Sequence, residues 1–112
     1  GRGFKVVLMM DAPDFGFDPA LCVYETKLND VRCDISLEQH NGDQAIYRAL
    51  FVAIAKHPNV ELVDISDAIC NKNTCSMLSE GRLLYRDNDH LNLIGSQLAG
   101  EILIQKSKFL SQ

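Results

Sequence analysis

Two short apolar runs flank a stretch of helical periodicity, and this pattern limits the chain's fold more than any other feature. Residues 4–10 read Phe-Lys-Val-Val-Leu-Met-Met, and residues 60–65 read Val-Glu-Leu-Val-Asp-Ile. Both are too short for helices, and the first is too uniformly apolar for a half-exposed strand, so it is expected to be a central parallel strand covered on both faces. Between them Ile46, Leu50, Ala53 and Ile54 recur at helical spacing. Tyr47 and Phe51 widen that apolar face, while Gln44, Arg48 and Lys56 fall outside it, which predicts a helix from about Asp43 to Lys56. His57-Pro58-Asn59 ends it, because Pro58 disfavours helical geometry at His57. Strand, helix and strand in this order predict a right-handed βαβ unit in an α/β fold.

At 112 residues the chain is expected to form one domain. Its formal charge of −4 is spread in small mixed groups, so no basic stripe argues for nucleic acid and no polybasic face for a membrane surface. The apolar runs are far shorter than the roughly 20 residues that span a bilayer, and no secretory leader pattern is visible. Gly1 to Gly3 lead into the first strand without an initiator Met, which fits a mature protein or a piece of a longer one.

After the first strand, Asp11-Ala12-Pro13-Asp14 and then Phe15-Gly16-Phe17-Asp18-Pro19 are turn chemistry, so a long loop opens at the carboxyl end of the strand. That end is the ligand side of an open parallel sheet. Ala20 to Asp34 shows no clean period. Ser66 to Cys70 reads as a short helix or turn, and Asn71 to Cys75 as a small polar loop. Met77-Leu78 and Leu83-Leu84-Tyr85, on either side of Gly81, fit either a brief extended pair or apolar anchors. From about Asn92 to Phe109, Ile94, Leu98, Ile102 and Leu103 continue a stripe begun by Leu91, predicting a packed surface helix with Asn92 as its N-cap. Gly95 in its first turn costs helix stability, which suggests that another backbone comes close there.

Four cysteines form two local pairs, Cys22 with Cys33 and Cys70 with Cys75. Nearest-neighbour disulfides suit their polar, turn-rich surroundings, would each add about 2 to 3 kcal/mol on the chain-entropy account and would imply an oxidising compartment. Four free thiols and a metal site are the competing readings; against metal, neither pair has Cys-x2-Cys spacing and only His90 lies near Cys70 and Cys75 in sequence. No metal and no cofactor are expected. His57 reads as a dipole partner at a helix end, and His40, in Gln-His-Asn-Gly-Asp, as a turn residue.

The chemistry concentrates at Asp87-Asn88-Asp89-His90. Three residues separate Asp87 from His90, so one turn of chain can bring the carboxylate to one imidazole nitrogen and leave the other facing a cleft. A carboxylate so placed selects the tautomer and supports the imidazolium when the ring takes a proton from a serine. The competing reading is a polar helix entry in which Asp87 and Asp89 cap amides and His90 is a surface residue.

The string Leu84-Tyr85-Arg86-Asp87-Asn88-Asp89-His90-Leu91, followed by Gly95-Ser96 and preceded by Cys70-Asn71-Lys72-Asn73-Thr74-Cys75, resembles the carboxyl-terminal part of SGNH hydrolase domains, most closely those fused to acyltransferase-3 membrane O-acyltransferases. The early strand ending in Asp-x-Pro, with Phe-Gly-Phe-Asp-Pro and Cys22 after it, is similar too, as is Asn59-Val60 leading to Val63-Asp64. The resemblance implies a three-layer α/β/α, flavodoxin-like fold with a parallel sheet of about five strands, of which residues 1–112 would supply the carboxyl-terminal portion and two strands. It implies a Ser-His-Asp triad with Asp87 orienting and His90 as base, while Asp89 takes no assigned role. The family's serine lies in a Gly-Asp-Ser motif after the first strand, and its oxyanion-hole Gly and Asn in later blocks, all amino-terminal to this sequence. Ser36, Ser66, Ser76, Ser79, Ser96, Ser107 and Ser111 all lack that context. The resemblance therefore implies an O-acyltransferase outside the cytoplasm, periplasmic and anchored through an upstream membrane acyltransferase domain, taking an acyl donor and a cell-envelope glycan, with this chain inactive alone. An SGNH esterase acting on carbohydrate or lipid and a non-catalytic accessory domain are the alternatives.

Overall fold

The computed structural model describes residues 3–25 and 33–110, with side chains 23–25 left aside. Much of the irregular excursion expected from Ala20 to Asp34 therefore lies outside the described residues, as does Ser111. The chain is α/β with a parallel pair of strands: β1 (Val6–Met9) lies beside β3 (Val60–Val63), in register from Val6 opposite Val60 to Met9 opposite Val63. Helix α1 (Pro19–Glu25) follows the first loop, and β2 (Asp34–Ser36) leads into α2 (Leu37–Ile54). A 3-10 turn at Ser66–Ala68 precedes β4 (Thr74–Ser76), the hairpin β5 (Leu78–Ser79) and β6 (Arg82–Leu83), and finally α3 (Leu93–Lys106).

β1 departs from expectation in its cover. Val6 and Met9 are exposed, Phe4 beside them is almost fully so, and β1 pairs with β3 alone among the described strands. Its apolar composition therefore exceeds what its described neighbours bury.

α2 departs more sharply. It starts at Leu37, ahead of Asp43, because Ser36 caps it by accepting from the Gln39 amide. It then turns its polar flank inward: His40 and Gln44 are buried, while Ile46 is 89% exposed and Leu50 57%. Gln44, expected outside, donates to the Asp11 carbonyl at 2.7 Å, and Arg48 pairs with Asp64 at 2.5 Å. The packed face is thus the one that can hydrogen-bond to the loop after β1 and to the end of β3, and that bonding compensates the burial of Gln44 and Arg48, while His40 Nε2 is buried without a hydrogen-bond partner.

The main core lies away from the parallel pair. Phe15, Cys22, Cys33, Ile35, Ile69, Cys75, Met77, Leu84 and Tyr85 form one buried cluster, with Val63, Ile65 and Ala99 as a smaller one under α3. Both disulfides, Cys22–Cys33 and Cys70–Cys75, belong to that region. They adjoin the antiparallel ribbon of β2 and β4, in which Ile35 faces Cys75, so the ribbon joins both crosslinked loops. The stretch expected as a polar loop before Cys75 thus ends in a strand. β5 and β6 form the extended pair; Glu80 (φ 52°) and Gly81 (φ 78°) make the left-handed two-residue turn that matches strand twist.

α3 follows its sequence closely. Asn92 caps it by accepting from the Gly95 amide at 2.9 Å, and Ile94, Leu98, Ile102 and Leu103 are half-buried while Gln97, Glu101 and Gln105 are exposed. A Cβ on Gly95 would sit 2.2 Å from the Leu84 carbonyl oxygen, so the close backbone is that of Leu84. At the other end Lys106 reaches the Asp64 carbonyl at 2.8 Å and the Asp67 carboxylate at 2.7 Å.

Candidate functional site

Asp87 to His90 form a tight turn between the Leu84–Tyr85 segment and α3. Tyr85 and Leu91 are bridged in antiparallel fashion, and the Arg86 amide donates to the His90 carbonyl at 2.9 Å, which closes the turn at its base. Inside it, Asp87 Oδ1 accepts from the amides of Asp89 (3.1 Å) and His90 (2.7 Å). Those amides, the Asp89 amide foremost, hold the Asp87 carboxyl down at about 2, so it is ionised throughout the neutral range.

The ionised carboxylate meets the imidazole directly. Both Asp87 oxygens lie 3.0 Å from His90 Nδ1. Asp89 Oδ1 lies 2.9 Å from the same nitrogen. Two carboxylates at Nδ1 favour the tautomer that carries its proton there, leaving Nε2 as the nitrogen available to accept a proton. Asp89 is thus part of the geometry, a contact that sequence spacing does not distinguish from a variable linker position. Asp87, Asp89 and His90 are also the one group among the described residues whose donor atoms converge closely enough for a cation. The turn itself accounts for their convergence.

Three long-range hydrogen bonds tie this turn to the loop after β1. The buried Tyr85 hydroxyl donates to the Pro13 carbonyl at 2.8 Å, and the Phe15 amide donates to the Asn88 carbonyl at 2.9 Å. Asn88 also donates from its side chain to Asp14 at 3.0 Å. Phe15 packs edge-on against Tyr85, with ring centroids 4.8 Å apart. The Asp-x-Pro loop and the Asp-x-x-His turn are therefore joined by hydrogen bonds and ring packing. Tyr85 and Gln44 are the positioning groups that sequence reasoning missed; the first lay in an apolar string and the second on a flank assigned to solvent.

Together these elements wall an open cleft of about 700 Å³ at the carboxyl end of β1, with Met10, Asp11, Tyr47, Arg86, His90 and Ser96 among its lining. Ser96 shares the cleft, yet among the described residues no serine hydroxyl is hydrogen-bonded to His90. The Ser96 amide is part of the α3 ladder, donating to the Asn92 carbonyl, and Ser107 is buried at the far end of α3, donating to Glu61 at 2.5 Å. His57 stays at the helix exit, where its Nδ1 accepts from the Asn59 amide. His40 is no turn residue; it lies within α2, buried.

A family model described as "SGNH domain (fused to AT3 domains)" matches residues 1–105. No curated protein and no solved structure matches the chain. Among the described residues no helix is long and apolar enough to cross a membrane.

Proposed function

The chain belongs to the SGNH domains that are fused to AT3 domains, and from that premise we propose that it supplies the acid–base part of an acyl-transfer site. The observation that carries this reading is the double approach of Asp87 and Asp89 to Nδ1 of His90, which lines an open cleft. In it Asp87 orients the imidazole, His90 Nε2 takes the proton of a serine hydroxyl, and the serine oxygen becomes the nucleophile that accepts the acyl group. The imidazolium gives that proton to the leaving group of the acyl donor; the ring, a base again, then deprotonates a sugar hydroxyl, whose oxygen takes the acyl group as the proton returns to the departing serine oxygen. Asp89 adds to the stabilisation of the imidazolium formed in each step.

The serine of this reading comes from a segment preceding these residues. Residues 1–112 are then the carboxyl-terminal portion of one SGNH-type domain, and the exposed apolar groups of β1 and α2 are the faces that its other strands cover. The substrates are an acyl donor, with acetyl as the group, and a hydroxyl of an envelope glycan. Two disulfides fit an oxidising, extracytoplasmic compartment such as the periplasm, with an AT3 membrane domain as anchor.

The test is hydrolysis of p-nitrophenyl acetate by this chain. The account expects a rate no higher than that of its His90→Ala variant. Turnover abolished by His90→Ala would place a nucleophile within residues 1–112 and overturn the shared-site reading.

A further inference from the structure

The two carboxylates at His90 are held in different ways. Asp87 is built into the turn: its Oδ1 accepts from the amides of Asp89 and His90, and both its oxygens lie 3.0 Å from His90 Nδ1 in hydrogen-bonding geometry. The Asp89 carboxylate reaches the same nitrogen at 2.9 Å as an ion-pair contact, and among the described residues no backbone amide donates to it. Asp89 also lines the His90 cleft, with Tyr47 and Arg86, whereas Asp87 is not part of that lining. The Asp89 side chain therefore has open space beside it and can rotate, while the amide bonds of Asp87 hold that carboxylate in place.

Nδ1 of a neutral imidazole carries at most one hydrogen, and one carboxylate is enough to hold it there. Where a triad has a lone carboxylate, changing it to the amide puts the proton on the wrong nitrogen and costs about 10⁴ in kcat. Here a second carboxylate already stands at the nitrogen. If Asp87 loses its charge, the Nδ1 hydrogen needs only a rotation of Asp89 to find a new acceptor. Asn at position 87 still offers an oxygen to the two amides, so the turn keeps its shape.

We propose that Asp89 is a reserve orienting carboxylate: either acid alone keeps the His90 proton on Nδ1, and only the loss of both releases it. Asp89 is a positioning residue in this scheme, acting through His90. Its consequence for catalysis rests on the acyl-transfer reading above, whereas its hold on the tautomer rests on the geometry alone.

The experiment reads the His90 tautomer from the ring nitrogen NMR shifts of this chain at about pH 9, above the ordinary imidazole range. Wild type, Asp87→Asn and Asp89→Asn are each expected to show a protonated Nδ1 and a bare Nε2. The variant carrying both Asn substitutions is expected to move toward Nε2–H, the form a free imidazole side chain prefers, with its amide signals elsewhere unchanged. A tautomer change in either single variant, or none in the double variant, would overturn the proposal. Asp89→Ala leaves the turn bonds of Asp87 in place; it is expected to shift the Nδ1 resonance without changing the tautomer, and an unmoved resonance overturns the contact. Fluorophosphonate labelling of the longer protein that carries this domain extends the test to the reaction. Each single Asn variant is expected to slow labelling less than about tenfold and the double variant at least about a hundredfold, against the 10⁴ of a lone-carboxylate triad. A loss of tenfold or more in Asp87→Asn alone would overturn the reserve role. Labelling absent from the wild type, with the tautomers as expected, would overturn the serine reading and sustain the hold of Asp89 on His90.

Discussion

The Tyr85 hydroxyl donates to the Pro13 carbonyl at 2.8 Å across 72 positions of sequence, inside the main core. Tyr85 immediately precedes the Arg86–Asp87 step, so this one bond sets the entry of the Asp-x-x-His turn relative to the loop after β1. Burial keeps the phenol far above its ordinary range, and it remains a donor at any pH the fold survives. Tyr85→Phe keeps the edge-on contact with Phe15 but leaves the Pro13 carbonyl buried and unpaired. It is expected to cost about 1 to 3 kcal/mol in urea unfolding and to shift the His90 ring signals, because the turn loses one of its three hydrogen-bonded ties to that loop.

Gly95 and Gly100 sit in the same helix and should respond in opposite directions. A Cβ at Gly95 meets the Leu84 carbonyl at 2.2 Å, whereas a Cβ at Gly100 has nothing within 4 Å. Gly95→Ala is expected to destabilise by roughly 1 to 3 kcal/mol through forced backbone displacement, and Gly100→Ala to stabilise by about 0.5 to 1 kcal/mol through reduced freedom of the unfolded chain. Calorimetric melting of the two variants checks both signs.

Asp87 is expected to titrate at about 2, followed through its side-chain carboxyl carbon by NMR. Its carboxyl is depressed from the ordinary 3.8, so the turn's amide bonds to the carboxylate contribute stability that is fully present above the ordinary value. That contribution is lost as the pH falls from about 4 through about 2. Asp87→Asn should remove this acid limb and loosen the His90 ring.

Removing either disulfide as a double Cys→Ala variant is expected to lower stability by about 2 to 3 kcal/mol in guanidinium unfolding. Cys22, Cys33 and Cys75 are all buried in one cluster with Ile35, Met77 and Tyr85, so removing both should exceed the sum of the two losses.

The parts of the fold that the sequence exposes are those in which one local rule dominates. α3 is legible because its stripe, its Asn92 cap and the cost of Gly95 all agree, and the parallel pairing of β1 and β3 follows from two apolar runs around a helical segment. α2 is misread because periodicity locates an apolar face without saying what covers it. Its inward flank is held by Gln44 and Arg48 through hydrogen bonding and charge, which carry no periodic signature. The Asp87–His90 contact is one that the spacing allows, since a single turn can bring the two groups together, and the structure selects it over a surface His90 with no carboxylate partner. Asp89's approach to the same nitrogen depends on how the turn closes, and Tyr85's bond to Pro13 on a distant loop, so neither can be read from local sequence.

Fluorophosphonate labelling of the longer protein that carries this domain, read out by peptide mass spectrometry, tests the central claim most directly. The account predicts a single labelled serine outside residues 1–112, with labelling lost in His90→Ala and reduced in Asp87→Asn. Label on Ser96 or any other serine of this chain, or labelling unchanged by His90→Ala, would contradict it.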